Sequence, residues 1–316
     1  MFTAVKGVLE GYGYELITLA GAGHEVRILP QQGFNLYYWT FEGAQVLMEP
    51  EDIAVYGTKY GIPILFPTPN RTKDATYVWQ GETHVMTRGG EKVQRHGFVH
   101  NQPFTVTKLS ADGDSAVCEA EITLREADGG FSGYPFPCTL RVRYTLSAAG
   151  VRMDATILNE GDRVMPFGFA LHPYFSKRGD ANQAFIKVPA ERCYETDDDL
   201  IATGRIFPAK EGQIIHDGFH SVESLSLDTG YRGLTQDKVS IVRYADIDVL
   251  IRASDCFRNA IVYTPHSRPG FCIEPQTNAT NFLNLFAEGL VDESGLLALP
   301  AGKAFRCWVD FTIQKR

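Results

Sequence analysis

The sequence lacks long hydrophobic runs, basic clusters and a leader-like start. No stretch of the 316 residues reaches the ~20 apolar residues needed to cross a bilayer, and the first residues contain no apolar core of signal-peptide length. The net charge of −8, with no Lys/Arg cluster, argues against nucleic acid as a partner. We therefore expect a cytoplasmic protein that binds neither membranes nor nucleic acid, and a neutral small molecule fits this charge more easily.

Several other signatures are missing. The six cysteines are widely scattered and form no C-x-x-C pair, so we expect them to be reduced core residues. There is no Gly-rich phosphate loop of the P-loop or dinucleotide type, no G-x-S-x-G and no internal repeat. These absences leave an acid–base site as the best candidate chemistry.

The composition favours β-structure. Hydrophobic residues make up 44% of the chain, enough for a large core, and it contains 20 Phe, 14 Tyr and 30 Gly with few long helical patterns. No linker divides the chain, so we predict one domain over residues 1–316. Alternation of apolar and polar residues predicts strands at Cys118–Leu124, Leu140–Leu146, Val151–Ile157 and Phe305–Ile313, and one short helix is predicted within Ala279–Gly289.

One histidine lies within an aromatic run. The segment FGFALHPYF, residues 167–175, surrounds His172 with apolar rings, and Pro173 fixes the backbone after it. A poorly hydrated, narrowly oriented imidazole suits a tuned proton donor. The alternative is a core histidine that hydrogen-bonds a backbone carbonyl.

A carboxylate is placed in a similar way. Glu274 follows three apolar residues and precedes Pro275 in the segment GFCIEPQ, at the end of a predicted buried strand. Burial raises the pKa of a carboxyl group unless hydrogen-bond donors surround it. The alternative is a glutamate bonded to backbone amides.

Two loops present further polar residues. The segment GIPILFPTPNR, residues 61–71, has three prolines in seven residues and is predicted to be an ordered loop that ends at Arg71. Arg71 either binds a ligand or forms a salt bridge. Asp228, in LSLDTGYRGL, either points into a cleft or caps a turn, and local sequence favours the cap.

His96 and His100 are four residues apart, a metal-binding spacing on a helix. We reject a metal site because Gly97 and Pro103 disfavour a helix and no third ligand lies nearby in sequence. On a strand the two side chains would stand ~13 Å apart, too far to chelate one ion.

Together these segments resemble the aldose 1-epimerase (mutarotase) family, including its hexose-6-phosphate branch. GIPILFPTPNR resembles the family's G-x-P-x-x-F-P-x-x-N-R loop, RHGFVH its H-G-F segment, FGFALHPYF its G-x-x-H-P-Y-F segment and IEPQTNATN its E-P segment. The four motifs occur in the family's order, and the resemblance covers most of the chain, from the Pro30/Gly33 region to the terminal strand. The resemblance implies an all-β, antiparallel β-supersandwich with few short helices, a cleft on its concave face, and neither cofactor nor metal.

The resemblance also implies roles for five residues. Glu274 would be the general base and His172 the general acid, His96 and Arg71 would hold the sugar's oxygens, and Asp228 is similar to the family's sugar-binding aspartate. In that mechanism His172 rests protonated beside a carboxylate. Arg95 stands where the phosphate branch often has Gln, and His100 where it often has Arg.

The sequence therefore predicts a mutarotase acting on a free hexose. One alternative is a hexose-6-phosphate epimerase in which Arg71 and Arg95 bind the phosphate. The other is a carbohydrate-binding or sensing protein on the same fold. Whether the chain forms a homodimer is left open.

Overall fold

Short β-strands make up most of the protein. The computed structural model describes residues 1–50, 53, 59–128, 130–179, 183–190, 192–208 and 215–316. The strands are β1 (Thr3–Leu9), β2 (Tyr14–Gly21), β3 (His24–Leu29), β4 (Asn35–Phe41), β5 (Ala44–Gln45), β6 (Ile64–Leu65), β7 (Thr76–Trp79), β8 (Glu82–Val85), β9 (Thr87–Arg88), β10 (Glu91–Lys92), β11 (Thr105–Ala111), β12 (Ser115–Leu124), β13 (Phe131–Ser132), β14 (Cys138–Ser147), β15 (Gly150–Asn159), β16 (Met165–Phe167), β17 (Ala170–Leu171), β18 (Tyr174–Ser176), β19 (Phe185–Lys187), β20 (Arg192–Thr196), β21 (Ala202–Pro208), β22 (His220–Ser221), β23 (Asp228–Arg232), β24 (Ser240–Arg243), β25 (Ile247–Ala253), β26 (Asn259–Tyr263), β27 (Gly270–Gln276), β28 (Leu297–Leu299) and β29 (Ala304–Lys315).

Helices are few and short. The α-helices of the described chain are α1 (Phe282–Ala287) and α2 (Val291–Ser294), and three-residue 3-10 turns occur at Lys73–Ala75, Glu126–Asp128 and Val222–Ser224. The helix predicted within 279–289 is confirmed as α1. Among the described residues, no helix has the length and apolar character needed to span a bilayer.

Three antiparallel sheets carry the architecture. One sheet has the order β11-β12-β14-β15-β29-β25-β24-β19-β22. A second has the order β21-β20-β23-β26-β27-β17-β6, with β18 also paired to β27, and a third runs from β1 to β5. The predicted all-β supersandwich is confirmed.

Sequence alternation fixes which face of each strand is buried. Along β14, Leu140, Val142 and Tyr144 are buried, while Arg141 and Arg143 between them are exposed. Since successive side chains of a strand point to opposite faces, this sheet presents one apolar face to the core and one charged face to solvent. All six cysteines are free thiols, as predicted, and all but the half-buried Cys256 are core residues.

The register between two segments brings His172 and Glu274 together. β17 pairs with β27 at Ala170 and Gln276, and β18 pairs with β27 at Tyr174 and Cys272. The same register places His172 directly opposite Glu274, although the ladder is interrupted there. The interruption coincides with Pro173 and Pro275, which have no N–H to donate to a ladder.

The proline-rich loop supports the His172 segment from the other side. The amide of His172 donates to the Pro63 carbonyl at 3.0 Å, and that of Tyr174 donates to the Gly61 carbonyl at 2.8 Å. This loop is buried, and its residues Ile64–Leu65 form the edge strand β6. The expectation of a loop is therefore correct for most of the segment and wrong for these two residues.

The same loop also holds the His96 segment. The amides of His96 and Phe98 donate to the carbonyls of Asn70 and Phe66, both at 2.8 Å. Gly97 between them has φ +68°, and a Cβ there would lie 2.3 Å from the Phe66 carbonyl oxygen. The backbones approach so closely that only glycine fits.

We predict that Gly97→Ala destabilises the protein more than Gly81→Ala does. Gly81 also has a positive φ, +85°, but a Cβ at that position meets no atom within 4 Å. Gly81→Ala should therefore cost only the left-handed backbone strain, about 1 kcal/mol, whereas Gly97→Ala adds overpacking of about 1–3 kcal/mol. Urea denaturation of both variants measures the difference, and equal midpoints would contradict the close approach.

Candidate active site

The six predicted site residues line one cleft. The cleft has a volume of about 400 Å³ and contains His172, Glu274 and His96. The described residues that line it are Lys59, Asn70, Arg71, Arg95, His96, His100, His172, Tyr174, Asp228, Ile261, Tyr263, Arg268 and Glu274.

His172 and Glu274 form a buried pair on the floor of this cleft. The exposed fractions of the two residues are only 7% and 2%. Nε2 of His172 lies 3.2 Å from Oε1 of Glu274 and 3.5 Å from the hydroxyl of Tyr174. The Tyr174 ring stacks on the imidazole with centroids 4.6 Å apart and an interplanar angle of 7°. Packing and register therefore hold both groups in fixed positions.

Burial shifts the pKa values of the two members of the pair in opposite directions. It raises the pKa of Glu274 well above the ordinary value, and the charge of Asp228 raises it further while that of Arg71 opposes. Burial lowers the pKa of His172 to about 3. Desolvation thus favours a neutral imidazole beside a protonated carboxyl, whereas the contact between the two groups favours the ion pair. The expected carboxylate neighbour is present, but burial opposes the expected resting charge on His172.

His96 and His100 extend the cleft wall as neutral groups. The His96 ring lies 5.6 Å from the His172 ring and 6.2 Å from the His100 ring, measured between centroids. Burial, followed by the charge of His172, lowers the pKa of His96 well below 6.5, and burial lowers that of His100 to about 4. Each ring can exchange hydrogen bonds with a ligand without adding a charge.

The predicted separation of ~13 Å between these two histidines is wrong. It assumed a strand, but the segment is a loop in which His96 has φ 65° and Gly97 has φ 68°. Two consecutive left-handed residues turn the chain back, so the two rings become neighbours. Backbone strain of this kind in a non-glycine residue is typical of functional sites.

Arg71, Arg95 and Asp228 form the polar end of the cleft. Nη2 of Arg71 lies 4.0 Å from Oδ2 of Asp228, and the backbones of Arg71 and Arg95 form an antiparallel bridge. Burial raises the pKa of Asp228, while the guanidiniums of Arg71 and Arg95 oppose this shift. Asp228 starts β23 and faces the cleft, so the turn cap that local sequence favoured is the wrong choice.

Five buried polar atoms around the cleft have no hydrogen-bond partner in the described part of the protein. They are Nε of Arg71, Nδ1 of His96, His100 and His172, and Oε2 of Glu274. Buried polar groups are usually paired, so these atoms are available to hydrogen-bond water or a polar ligand in the cleft.

Cys272 adds a thiol beneath the pair. Among described residues, the ligand atoms of His172, Cys272 and Glu274 all lie within 4.8 Å of one another. Imidazole, thiolate and carboxylate are a donor set that zinc accepts. Burial raises the pKa of the Cys272 thiol well above its ordinary value, which opposes the thiolate that a metal needs.

Sequence reasoning missed four lining residues that bear polar groups: Asn70, Lys59, Tyr263 and Arg268. Asn70 directly precedes Arg71 in the N-R motif, so the motif itself could have indicated it. Lys59 and Arg268 lie in turns with no local pattern. They reach the cleft only through the tertiary fold.

The architecture defines the protein first as a galactose mutarotase-like β-supersandwich. It superimposes on a galactose mutarotase-like protein from Clostridium acetobutylicum with a TM-score of 0.88 and 20% identity, covering 100% of this chain and 99% of that one. It superimposes on galactose 1-epimerase from Lactobacillus acidophilus NCFM with a TM-score of 0.79 and 14% identity, covering 100% of this chain and 99% of that one. At these identities the likeness shows the fold alone.

The sequence comparison then gives the family. The chain belongs to the aldose 1-epimerase family, whose model matches residues 15–307. This membership supports a carbohydrate epimerase. The uncharacterised protein YihR of Escherichia coli K12 is 24% identical over 190 residues, which are 58% of this chain. The match also spans 58% of YihR's own length.

We predict that His100 makes the protein less stable in acid. Its folded pKa of about 4 lies below the ~6.5 of an unfolded histidine, so the unfolded chain binds more protons between these values. Its contribution is present above pH ~6.5 and is lost as the pH falls towards 4. His100→Gln should therefore reduce the drop in unfolding free energy from pH 7 to pH 5 by about 2 kcal/mol.

Urea denaturation at the two pH values tests this, with the exposed His266 changed to Gln as the control. The measured quantity is the pH dependence of stability, which a general loss of stability in the variant does not change. A His100→Gln slope equal to that of the unmodified protein would show that His100 is not held neutral in the fold.

Proposed function

We propose that the protein is an aldose 1-epimerase that interconverts the α and β anomers of a hexose free at C1 by acid–base ring opening. The buried pair of His172 and Glu274, 3.2 Å apart in a polar cleft, is the observation that carries this proposal. Mutarotation needs two protein groups: a base that removes the proton of the anomeric hydroxyl and an acid that protonates the ring oxygen.

In the proposed mechanism Glu274 takes the proton of O1 while His172 gives a proton to O5. The C1–O5 bond breaks, O1 becomes the aldehyde oxygen, and rotation about C1–C2 exposes the other face. Reclosure reverses both transfers, so Glu274 returns its proton and His172 recovers one.

The pair carries one proton throughout, on His172 before opening and on Glu274 after it. Burial raises the pKa of Glu274 and lowers that of His172, which favours the state after opening. Attraction between the charged partners favours the state before it. The opposing effects bring the two states closer in energy, as a reaction that runs in both directions needs.

The remaining cleft residues are proposed to orient the ring. Arg71 and Asp228 form a donor–acceptor couple suited to neighbouring hydroxyls, and Arg95 lies beside them. His96, held neutral, supplies a hydrogen bond near the reacting oxygens. The Tyr174 ring stacks on the His172 imidazole and holds it in its orientation.

We predict that Glu274→Gln and His172→Asn each lower kcat/KM by about 10²–10⁴-fold, since each removes one proton transfer. Because the two transfers belong to one step, the double variant should lose little more than either single variant. The assay follows the optical rotation of freshly dissolved α-glucose, α-galactose and glucose 6-phosphate in dilute buffer.

Matched controls are Glu119→Gln and His84→Asn. Both side chains are largely buried, at 15% and 11% exposure, and both lie outside the cleft. The controls should keep full activity. If no aldose relaxes faster with the unmodified protein but a sugar still binds, the protein is a carbohydrate-binding protein and the epimerase proposal is wrong.

A further inference from the structure

Three side chains of metal-binding type meet at the floor of the cleft. Cys272 and Glu274 are two residues apart on β27, so their side chains lie on the same face of this strand. β18 pairs with β27 at Tyr174 and Cys272, and the same register places His172 opposite Glu274. One ligand atom from each of the three residues lies within 4.8 Å of the other two. The sheet thus gathers a thiol, a carboxylate and an imidazole at one point.

The spacing of these atoms is close to that of a tetrahedral zinc site. Zinc binds nitrogen and oxygen at about 2.0–2.2 Å and sulfur at about 2.3 Å, which separates neighbouring ligand atoms by about 3.3–3.6 Å. Nε2 of His172 and Oε1 of Glu274 are 3.2 Å apart, close to this separation. Since no separation among the three ligand atoms exceeds 4.8 Å, side-chain shifts of about 1 Å bring the Cys272 thiol into place.

The carboxylate at this point has an unpaired oxygen. Oε2 of Glu274 is buried and has no hydrogen-bond partner in the described part of the protein, and the whole residue is only 2% exposed. A buried acceptor that lacks a partner is costly to the fold. A cation bound beside Glu274 satisfies this oxygen, so the fold favours a ligand of positive charge here.

The charges of a bound zinc ion and its three ligands cancel. Burial penalises the Cys272 thiolate and the Glu274 carboxylate when either is charged alone, and it keeps the His172 imidazole neutral, the form that binds metals. Zn²⁺ with one thiolate, one carboxylate and one neutral imidazole has no net charge. The complex therefore avoids most of the desolvation cost of the separate anions. Mg²⁺ and Ca²⁺ prefer six or more oxygen ligands and fit this donor set poorly.

An ion reaches this point from the cleft. His172 and Glu274 both line the cleft of about 400 Å³, whereas Cys272 lies behind them in a small apolar cluster that includes Tyr174. Three protein ligands leave the fourth zinc position to a water molecule from the cleft, the arrangement of open zinc sites.

We propose that His172, Cys272 and Glu274 form a binding site for Zn²⁺ and that zinc reversibly inhibits the protein. The ion coordinates the imidazole and the carboxylate that carry out the proposed proton transfers, so neither group can exchange a proton with the sugar. Zinc acts here as an inhibitor and not as a cofactor. The inhibition rests on the proposed epimerase function, whereas the binding site does not.

Isothermal titration of the metal-free protein with ZnCl₂ tests the site. One equivalent should bind, and Cys272→Ser should weaken the binding at least about tenfold, since the loss of even an outer partner of a metal ligand costs about 10–100-fold. Cys118→Ser is the matched control, because Cys118 is as completely buried as Cys272 but lies on β12 in the large sheet. Co²⁺ gives a second readout: a sulfur-to-cobalt charge-transfer band should appear in the unmodified protein and be absent from Cys272→Ser.

Inhibition is measured by optical rotation with the aldose that relaxes fastest. Zinc should slow the unmodified protein and the Cys118→Ser control equally, and EDTA should restore both rates. Cys272→Ser should keep most of its metal-free activity, because the thiol takes no part in the proposed proton transfers. It should need at least about ten times more zinc for the same inhibition.

The outcomes separate the site from the function. Absence of zinc binding, absence of the sulfur–cobalt band in the unmodified protein, or equal zinc affinity in Cys272→Ser would overturn the proposal. Binding that is lost in His100→Gln but kept in Cys272→Ser would place the ion at His96 and His100 and would overturn it too. Zinc that binds through Cys272 without slowing turnover would overturn the inhibition. If no sugar is turned over at all, the epimerase function is refuted, while the titration and the cobalt spectrum still decide the site.

Discussion

The site depends on one antiparallel register that is interrupted where the chemistry lies. Residues 170–176 and 270–276 run past each other so that His172 stands opposite Glu274, and a proline follows each of them. A continuous ladder would keep these segments uniformly paired, but proline has no N–H to contribute. The carbonyls of Gly61 and Pro63 accept hydrogen bonds from the His172 segment instead, and those of Phe66 and Asn70 hold the His96 segment. The proline-rich loop thus connects both histidines to one sheet.

The same burial that stabilises the fold sets the protonation of the pair. β27 is buried along its whole length, with Phe271 and Ile273 in the main core, so Glu274 on the other face has little access to water. An isolated charge is costly in such surroundings, and a single proton shared between an acid and a base avoids that cost. The pKa shifts of His172, between β17 and β18, and of Glu274, on β27, follow mainly from burial, and the charges of Asp228 and Arg71 act further on Glu274.

Sequence patterns predicted the features that depend on neighbouring residues in the chain. Alternation located the strands of the large sheet, and the apolar neighbours of His172 and Glu274 were enough to mark both residues as unusual. Distances between loops were not accessible in this way. The His96–His100 separation was wrong because left-handed backbone cannot be read from residue types alone, and Arg268 was missed because its turn meets the cleft only after long-range folding. The single domain over residues 1–316 stays a prediction, as do the catalytic roles.

Of the quantities read from the sequence, the net charge said least about the charges that a ligand meets in the cleft. The formal charge of −8 averages over carboxylates far from the cleft, some of them in cross-strand pairs such as Glu121 with Arg141 on the solvent face of the large sheet. Such exposed pairs contribute little to stability or to recognition. A ligand responds instead to the charges within about a Debye length, ~8 Å at physiological salt. Among the described residues that line the cleft, these are three guanidiniums and one ammonium group beside two carboxylates, a balance that the net charge of the chain does not reveal. Substrate charge is therefore better inferred from the residues that line the cleft than from the composition of the chain.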